Sequence, residues 1–181
     1  MTPPPNPSSP ASAVLVVDDN REVLTAIRLL LKDHVDAVHT TTDPAALPAL
    51  LRETSYDAVL LDMNFSQGAS SGQEGFLWLA RIRQADPDAV VLMITAYGDI
   101  DRAVRAMKEG AADFIVKPWQ NEKLLATLRS AVALRTALRA AATLKARQTR
   151  LSEALDAPFH DLVGRSPAMR RVFATLEKVA P

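Results

Sequence analysis

The sequence predicts an α/β protein with a five-stranded, doubly wound parallel sheet that is followed by a long helix. Five short apolar segments, rich in valine, leucine and isoleucine, lie between amphipathic stretches over residues 13–118. These segments lack a clear alternation of polar and apolar residues, as expected for strands that are covered on both faces. The repeated order of strand and helix favours parallel strands joined by crossover helices.

The predicted elements follow one another in order along the chain. The strands are AVLVV (13–17), DAVHT (36–40), DAVLL (57–61), AVVLMI (89–94) and ADFIV (112–116). Between them, apolar residues at helical spacing predict helices over Arg21–Lys32, Pro44–Arg52, Phe76–Gln84 and Ile100–Lys108. Asp43 and Asp99 are suitable N-cap residues for the second and fourth of these helices.

The regions outside the sheet differ in composition. Residues 1–12 hold five of the twelve prolines and little to bury, so we expect a disordered tail. We assign 13–120 to the sheet domain and 121–156 to a long helix that acts as a linker. Pro158 and the segment HDLVGRSP then precede another helix, so 157–181 are predicted to begin a further domain.

Composition excludes several classes of protein. The chain is 48% hydrophobic and has no cysteine, which permits a real core but rules out disulfides and thiolate metal sites. No apolar run reaches the roughly 18 residues of a membrane span, and the first residues do not resemble a signal peptide, so we expect a cytoplasmic protein with no membrane partner. The net charge is zero.

Polar residues follow four of the predicted strands, at the edge where an open parallel sheet binds its ligands. Asp18 and Asp19 follow the first strand, Asp62 the third, Thr95 the fourth and Lys117 the fifth. Adjacent carboxylates repel each other unless a positive charge lies between them. Oxygen ligands without thiol or imidazole favour a hard cation, so the pattern predicts a Mg²⁺ site.

Other polar residues carry no such signal. Asp57 lies on the same strand as Asp62 but about 16 Å away at ~3.3 Å per residue, so we expect a strand-entry residue at the opposite edge. His34, His39 and His160 do not have the spacing of metal ligands.

The segments VVDDN, LLD, MITAYG and DFIVKP together resemble the receiver domain of two-component response regulators, over about residues 13–135. The resemblance implies a flavodoxin-like fold in which Asp62 accepts a phosphoryl group from a sensor histidine kinase. It also implies that the Mg²⁺ ligands are Asp18, Asp19, Asp62 and the Asn64 backbone carbonyl. The implied phosphoryl-binding and switch residues are Thr95, Ala96, Phe114 and Lys117. The Lys117–Pro118 peptide is expected to be cis. Ala96 would leave room beside Thr95 for the ring of Phe114.

One segment departs from the family pattern. MNFSQGASSGQE, between Asp62 and Gly75, is longer than this loop usually is and lacks its proline–glycine turn. Its Gly, Ser and Gln residues predict a mobile loop. It is either a tolerated surface insertion or a lid that alters kinase choice or phosphate lifetime.

The last twenty residues, LVGRSPAMRRVFATLEKVAP, resemble the opening of the AAA+ ATPase domain in sigma-54-dependent, NtrC-type activators. No G-x-x-x-x-G-K-[ST] phosphate loop occurs in the sequence. We therefore expect a regulatory fragment that is not itself an enzyme and does not bind ATP. Sigma-54 RNA polymerase and DNA would be contacted only through domains outside this sequence.

The linker carries a heptad pattern of mostly apolar residues, which we call the seam. Its members alternate in steps of three and four: Leu134, Ala137, Ala141, Leu144, Gln148, Leu151 and Leu155. Such a seam predicts a homodimer, although a single helix that packs on its own domain is the alternative. Between Asn121 and Ser152 there are seven basic residues and one acidic residue. No aromatic residues are interleaved with them, which favours a solvated helix flank over a nucleic-acid-binding surface.

Two functions remain open on the sequence. The first is a phosphorylation-controlled receiver that regulates the dimer or oligomer state of a sigma-54-dependent transcription activator. The second is a degenerate receiver that acts as a constitutive dimerisation scaffold. An acid-phosphatase type of hydrolase is disfavoured because no second acid lies two residues after Asp62.

Overall fold

The computed structural model describes residues 12–65, 73–96, 100–165 and 169. The strands are β1 (Ala13–Val17), β2 (Ala37–Thr41), β3 (Ala58–Asp62), β4 (Val91–Ala96) and β5 (Asp113–Lys117). The helices are α1 (Arg21–Leu31), α2 (Leu47–Glu53), α3 (Gln73–Ala85), α4 (Ile100–Lys108) and α5 (Asn121–Arg165), and a 3₁₀ turn (Pro44–Ala46) precedes α2.

The five strands form one parallel sheet in the order β2-β1-β3-β4-β5. The predicted fold class is therefore confirmed. The last four strands begin one or two residues later than predicted. In β4 the reason is a turn, in which the Ala89 N–H donates to the Asp86 carbonyl before the strand starts at Val91.

Two apolar clusters fill the two faces of the sheet, and every residue of β3 is buried. On one face the strands pack against Leu47 of α2, Phe76 and Leu79 of α3, and Ala106 of α4. On the other face they pack against α1 and the first turns of α5. Burial of each large side chain contributes about 1.5–3 kcal/mol, so both layers hold the sheet in place.

Side chains cap two of the elements. Asn20 caps α1, since its side chain accepts hydrogen bonds from the N–H groups of Glu22 and Val23. Asp43 is a cap as predicted, but it caps the 3₁₀ turn before α2 through the Ala45 N–H. The predicted cap Asp99 lies outside the described residues.

Helix α5 begins where the sequence predicts but extends to Arg165, past the expected end at 156. The prediction that Pro158 follows the helix is therefore wrong. Proline removes one backbone hydrogen bond from a helix, and the flanking turns continue the helix through this site. No helix in the described part of the chain has the length and apolar character needed to cross a membrane.

The chain divides into two compact units, 1–138 and 139–181. Leu124, Leu128 and Ala131 of α5 are buried in the second apolar cluster, and Leu138 packs against it. Residues 121–138 therefore complete the core of the first unit, although the sequence assigns them to the linker. In the second unit, the side chains of residues 140–152 are exposed.

One basic residue of α5 is not solvated. Arg135 is buried, and its guanidinium donates to both carboxylate oxygens of Asp86, which follows α3. Asp86 also accepts from the N–H of Asp88. The expectation of a solvated basic flank is thus wrong at Arg135. It failed because the helix register turns this residue towards the core, one turn after Ala131.

We expect the loss of Asp86 alone to destabilise the protein more than the loss of both members of this ion pair. The Arg135 side chain is 6% exposed and that of Asp86 is 33% exposed. Removal of Asp86 therefore leaves the buried charge of Arg135 without this carboxylate. We expect Asp86→Ala to lower the free energy of unfolding by about 3 kcal/mol. Adding Arg135→Met should restore part of that loss, because an apolar chain needs no partner. Urea unfolding measures both effects.

The exposed acid Asp88 provides the control, since Asp88→Ala keeps its backbone N–H and should change the unfolding free energy by less than about 0.5 kcal/mol. An Asp86→Ala variant as stable as wild type would show that the pair contributes nothing.

Candidate functional site

The predicted site residues meet at the carboxyl edge of the sheet. Asp62 ends β3 and pairs with Ile94, which places Thr95 of β4 one residue beyond it. Lys117 ends β5 opposite Ala96. The strand register thus brings groups from four strands together, as the sequence predicts.

The adjacent carboxylates of Asp18 and Asp19 differ in environment. Asp18 is fully buried, whereas Asp19 is exposed. The N–H of Asn20 donates to Oδ1 of Asp18 at 2.9 Å, while the side chain of Asn20 caps α1. The start of α1 therefore orients the Asp18 carboxylate, a role for Asn20 that the sequence analysis missed. An asparagine directly before a helix was the available signal.

Lys117 connects the two buried carboxylates. Its Nζ lies 2.7 Å from Oδ2 of Asp18 and 2.8 Å from Oδ1 of Asp62. Burial raises the pKa of Asp62 above its ordinary value, although Lys117 acts to lower it. Burial acts to lower the pKa of Lys117, but the hydrogen bonds and charges of the two aspartates outweigh it and raise that pKa. Lys117 is therefore a protonated bridge at neutral pH.

The backbone after Asp62 is held by hydrogen bonds. The Asn64 N–H donates to Oδ2 of Asp62 at 3.1 Å, so each oxygen of this carboxylate has a donor. The Met63 N–H donates to the Ile94 carbonyl at 3.0 Å. The side-chain oxygen of Asn64 is buried and has no hydrogen-bond partner among the described residues.

Helix α3 approaches this backbone at Gly75. A Cβ built on Gly75 would lie 2.7 Å from the Cα and 2.9 Å from the carbonyl oxygen of Met63. Only glycine fits this approach. The described part of α3 begins at Gln73, three residues before the predicted start at Phe76. The inserted segment that the sequence analysis interpreted as a tolerated loop or a lid falls mostly on 66–72, outside the described residues.

The switch residues are placed in part. Thr95 is buried, and strand alternation puts it on the same sheet face as Met93, which pairs with Phe114. Phe114 packs against the apolar cluster of that face. The side chain of Ala96 lies outside the described part, and the Lys117–Pro118 peptide is cis as the resemblance implies.

The residues fit a hard divalent cation. One carboxylate oxygen each from Asp18, Asp19 and Asp62 lie within 4.8 Å of one another. With the Lys117 ammonium, the formal charge of the group of four is −2. Mg²⁺ prefers such oxygen donors, takes few protein carboxylates and keeps several waters.

Two other sequence assignments concern residues away from this site. Asp57 is buried at the entry of β3, where its carboxylate accepts from the Ala13 N–H at 2.8 Å. This agrees with the expected strand-entry role. The ring Nδ1 of His39 lies 2.7 Å from the Tyr56 hydroxyl, a structural contact that gives His39 no place at the carboxyl edge.

The seam residues of α5 are exposed in the single chain. Leu134 is 45%, Leu144 66% and Leu151 57% exposed, and Ala137, Ala141 and Gln148 are also exposed. The side chain of Leu155 lies outside the described part. The helix register explains the pattern, since the core-facing positions Leu128, Ala131 and Arg135 lie on a different stripe.

Comparison with known proteins gives consistent results. The sequence profile described as "Response regulator receiver domain" matches residues 14–129. The chain is 42% identical over 117 residues to the response regulator protein FleR of Pseudomonas aeruginosa, covering 64% of this chain and 23% of FleR. It is 33% identical over 172 residues to the transcriptional regulatory protein ZraR of Klebsiella oxytoca, covering 93% of this chain and 34% of ZraR.

A crystal structure of the N-terminal signal receiver domain of a two-component response regulator from Bacteroides fragilis is similar in fold. It is 49% identical, with a TM-score of 0.62, and the match covers 68% of this chain and 98% of that one. The chain spans about a quarter to a third of the length of the curated relatives.

Proposed function

Because this chain belongs to the response regulator receiver domain family, with relatives of the sigma-54-dependent, NtrC type, we propose that Asp62 accepts a phosphoryl group. The donor is the phosphohistidine of a sensor histidine kinase. The observation that carries the proposal is the environment of the Asp62 carboxylate, with Lys117 on one oxygen and the Asn64 N–H on the other.

In the proposed reaction, a carboxylate oxygen of Asp62 attacks phosphorus and the phosphorus–nitrogen bond of the donor breaks. The bond electrons leave with the imidazole nitrogen, and the product is an acyl phosphate on Asp62. Catalysis of such a transfer is mainly positioning and stabilisation of charge on the transferred group.

Each side chain of the site has a part in this reaction. Lys117 places an ammonium 2.8 Å from the Asp62 oxygen, where it stabilises negative charge on the phosphoryl oxygens. Asp18, Asp19, Asp62 and the Asn64 carbonyl would hold Mg²⁺, which supplies further neutralisation of that charge. Thr95 lies one residue beyond the strand partner of Asp62, and its hydroxyl would donate a hydrogen bond to the new phosphoryl group.

A mass measurement tests the phosphorylation. The chain is incubated with a small phosphodonor such as phosphoramidate and with Mg²⁺ or EDTA, and the intact mass is recorded. The proposal predicts the mass of one added phosphoryl group with Mg²⁺ only. The constitutive scaffold, which never reacts with phosphate, predicts no added mass in either sample.

Replacing Thr95 separates the chemistry from the response. We expect Thr95→Ala to gain phosphate at a rate within a few-fold of wild type, because Asp62 and Lys117 remain. Its conformational response should be weak, because the hydroxyl that would bond the phosphoryl group is gone. Mass spectrometry measures the rate of phosphate gain. A phosphorylation-dependent change in tryptophan fluorescence measures the conformational response. A full response in Thr95→Ala would exclude the hydroxyl as the switch.

We further propose that phosphorylation changes the pairing of two chains through the seam. Helix α5 starts four residues after Lys117. A conformational change at the site would therefore reach the helix that bears the seam. The activator's ATPase and DNA-binding functions would reside in parts beyond this sequence. A typical coupling of ~1–3 kcal/mol changes a dimerisation constant by roughly 5- to 150-fold.

Sedimentation tests this pairing at tens of micromolar protein. We expect the 181-residue chain to dimerise and a chain that ends at residue 139, which keeps the core turns of α5, to stay monomeric. Leu144→Glu with Leu151→Glu should prevent pairing, whereas Ala146→Glu, opposite the seam, should not. A phosphoryl mimic should shift the dimer constant. A monomeric 181-residue chain rules out the dimer, and a dimer constant unaffected by the mimic rules out the switch.

A further inference from the structure

We propose that Glu74 is a positioning residue for the magnesium site. Its carboxylate accepts a hydrogen bond from the Phe65 N–H and thereby fixes the backbone that carries the Asn64 carbonyl. The inference rests on the function proposed above, in which that carbonyl is a metal ligand. It names the last residue of the segment MNFSQGASSGQE, which lies in the first turn of α3.

The three residues after Asp62 each donate a backbone hydrogen bond. The Met63 N–H donates to the Ile94 carbonyl and the Asn64 N–H to Oδ2 of Asp62. The Phe65 N–H donates to Oε2 of Glu74 at 3.3 Å. The first two acceptors belong to the sheet edge itself, so Glu74 provides the contact to this backbone from α3.

The position of Glu74 is set by its neighbour. The Gly75 N–H donates to the Met63 carbonyl at 3.2 Å, and the close approach of Gly75 to Met63 leaves no room for a side chain. The first turn of α3 is therefore held against the backbone after Asp62 at two adjacent residues. A carboxylate at position 74 reaches Phe65 because Gly75 allows this contact.

Asn64 does not hold its own backbone. Its side-chain oxygen is buried and has no hydrogen-bond partner in the described part of the chain. That oxygen therefore does not fix the neighbouring backbone. The Asn64 carbonyl shares one planar peptide group with the Phe65 N–H, so the hydrogen bond to Glu74 sets the direction of that carbonyl. Outer partners that orient metal ligands commonly change metal affinity by 10–100-fold when they are removed.

A second explanation for Glu74 is its place in the first turn of α3, where an acid interacts favourably with the helix dipole. Two variants distinguish the explanations. Glu74→Gln keeps an acceptor oxygen at the same reach but loses the charge. Glu74→Asp keeps the charge at the helix start but is one methylene shorter, so it withdraws the acceptor from Phe65.

Calorimetric titration of the 181-residue chain with Mg²⁺ tests the proposal, and thermal unfolding in EDTA checks that each variant folds. We expect the dissociation constant to rise about tenfold in Glu74→Ala and Glu74→Asp, at the lower end of such effects. Glu74→Gln should stay within about twofold of wild type, as should Asp101→Ala, which removes a first-turn acid from α4.

The role of Glu74 would be overturned if Glu74→Asp bound Mg²⁺ with wild-type affinity, or if only Glu74→Gln bound Mg²⁺ weakly. Either result would leave the phosphorylation proposal standing. If wild type itself shows no saturable Mg²⁺ binding, the metal site of the proposed function fails and this inference with it. If Glu74→Ala does not fold, the comparison of Glu74→Asp with Glu74→Gln decides.

Discussion

We expect Asp62→Asn to abolish Mg²⁺-dependent phosphorylation while leaving the fold intact. The amide has no nucleophilic oxygen of the kind that forms an acyl phosphate. It keeps the size of the carboxyl group and an acceptor for Lys117, which bonds Oδ1 of Asp62 in the native chain. Because burial already disfavours the charged form of Asp62, a neutral amide should not reduce the free energy of unfolding.

Asp57→Asn is a matched control for this prediction. Asp57 lies five residues earlier, at the entry of the same strand, and its contact with the Ala13 N–H needs only an acceptor oxygen. This variant should gain phosphate as wild type does. An acid-labile phosphoryl group on Asp62→Asn, seen by intact mass, would mean that another residue is the acceptor.

The second large effect is expected at Lys117. Lys117→Ala should slow phosphorylation by about 10²–10³-fold, the usual effect of removing one donor that stabilises charge in the transition state. The structure adds a second reason, since Lys117 Nζ bridges the carboxylates of Asp18 and Asp62. Without it, two buried like charges repel the incoming phosphoryl group as well as each other.

The rate should be measured as mass gain over time at saturating Mg²⁺, so that a change in metal affinity does not enter. Lys108→Ala removes an exposed ammonium from α4 and should leave the rate unchanged. The conformational response of Lys117→Ala should also be impaired. Equal phosphorylation rates in wild type and Lys117→Ala would contradict a role for Lys117 in binding the phosphoryl group.

The sheet and the carboxyl-edge residues could be predicted because both follow from local patterns. Buried parallel strands have apolar runs, and the residue after each run lies at a known edge of the sheet. Asp18, Asp62, Thr95 and Lys117 were therefore located without a structure. Strand starts were less certain, since the turn at Asp86 and Ala89 decides where β4 begins.

Contacts between distant segments could not be predicted in this way. The pair of Arg135 with Asp86 joins residues 49 positions apart, and a basic residue in a basic helix gives no sign of burial. The bond between Glu74 and Phe65 depends on how closely Gly75 approaches Met63. The continuation of α5 through Pro158 depends on the helix around it, whereas the local signal indicates an end.

Locating the phosphoryl group in the wild-type chain tests the central claim most directly. The chain is phosphorylated with phosphoramidate and Mg²⁺, the acyl phosphate is reduced with borohydride, and the modified peptide is identified by mass spectrometry. We predict a single modified residue, Asp62, with homoserine in its place after reduction. Modification of another aspartate such as Asp18 or Asp19, or no modification at all, would contradict the assignment of this site.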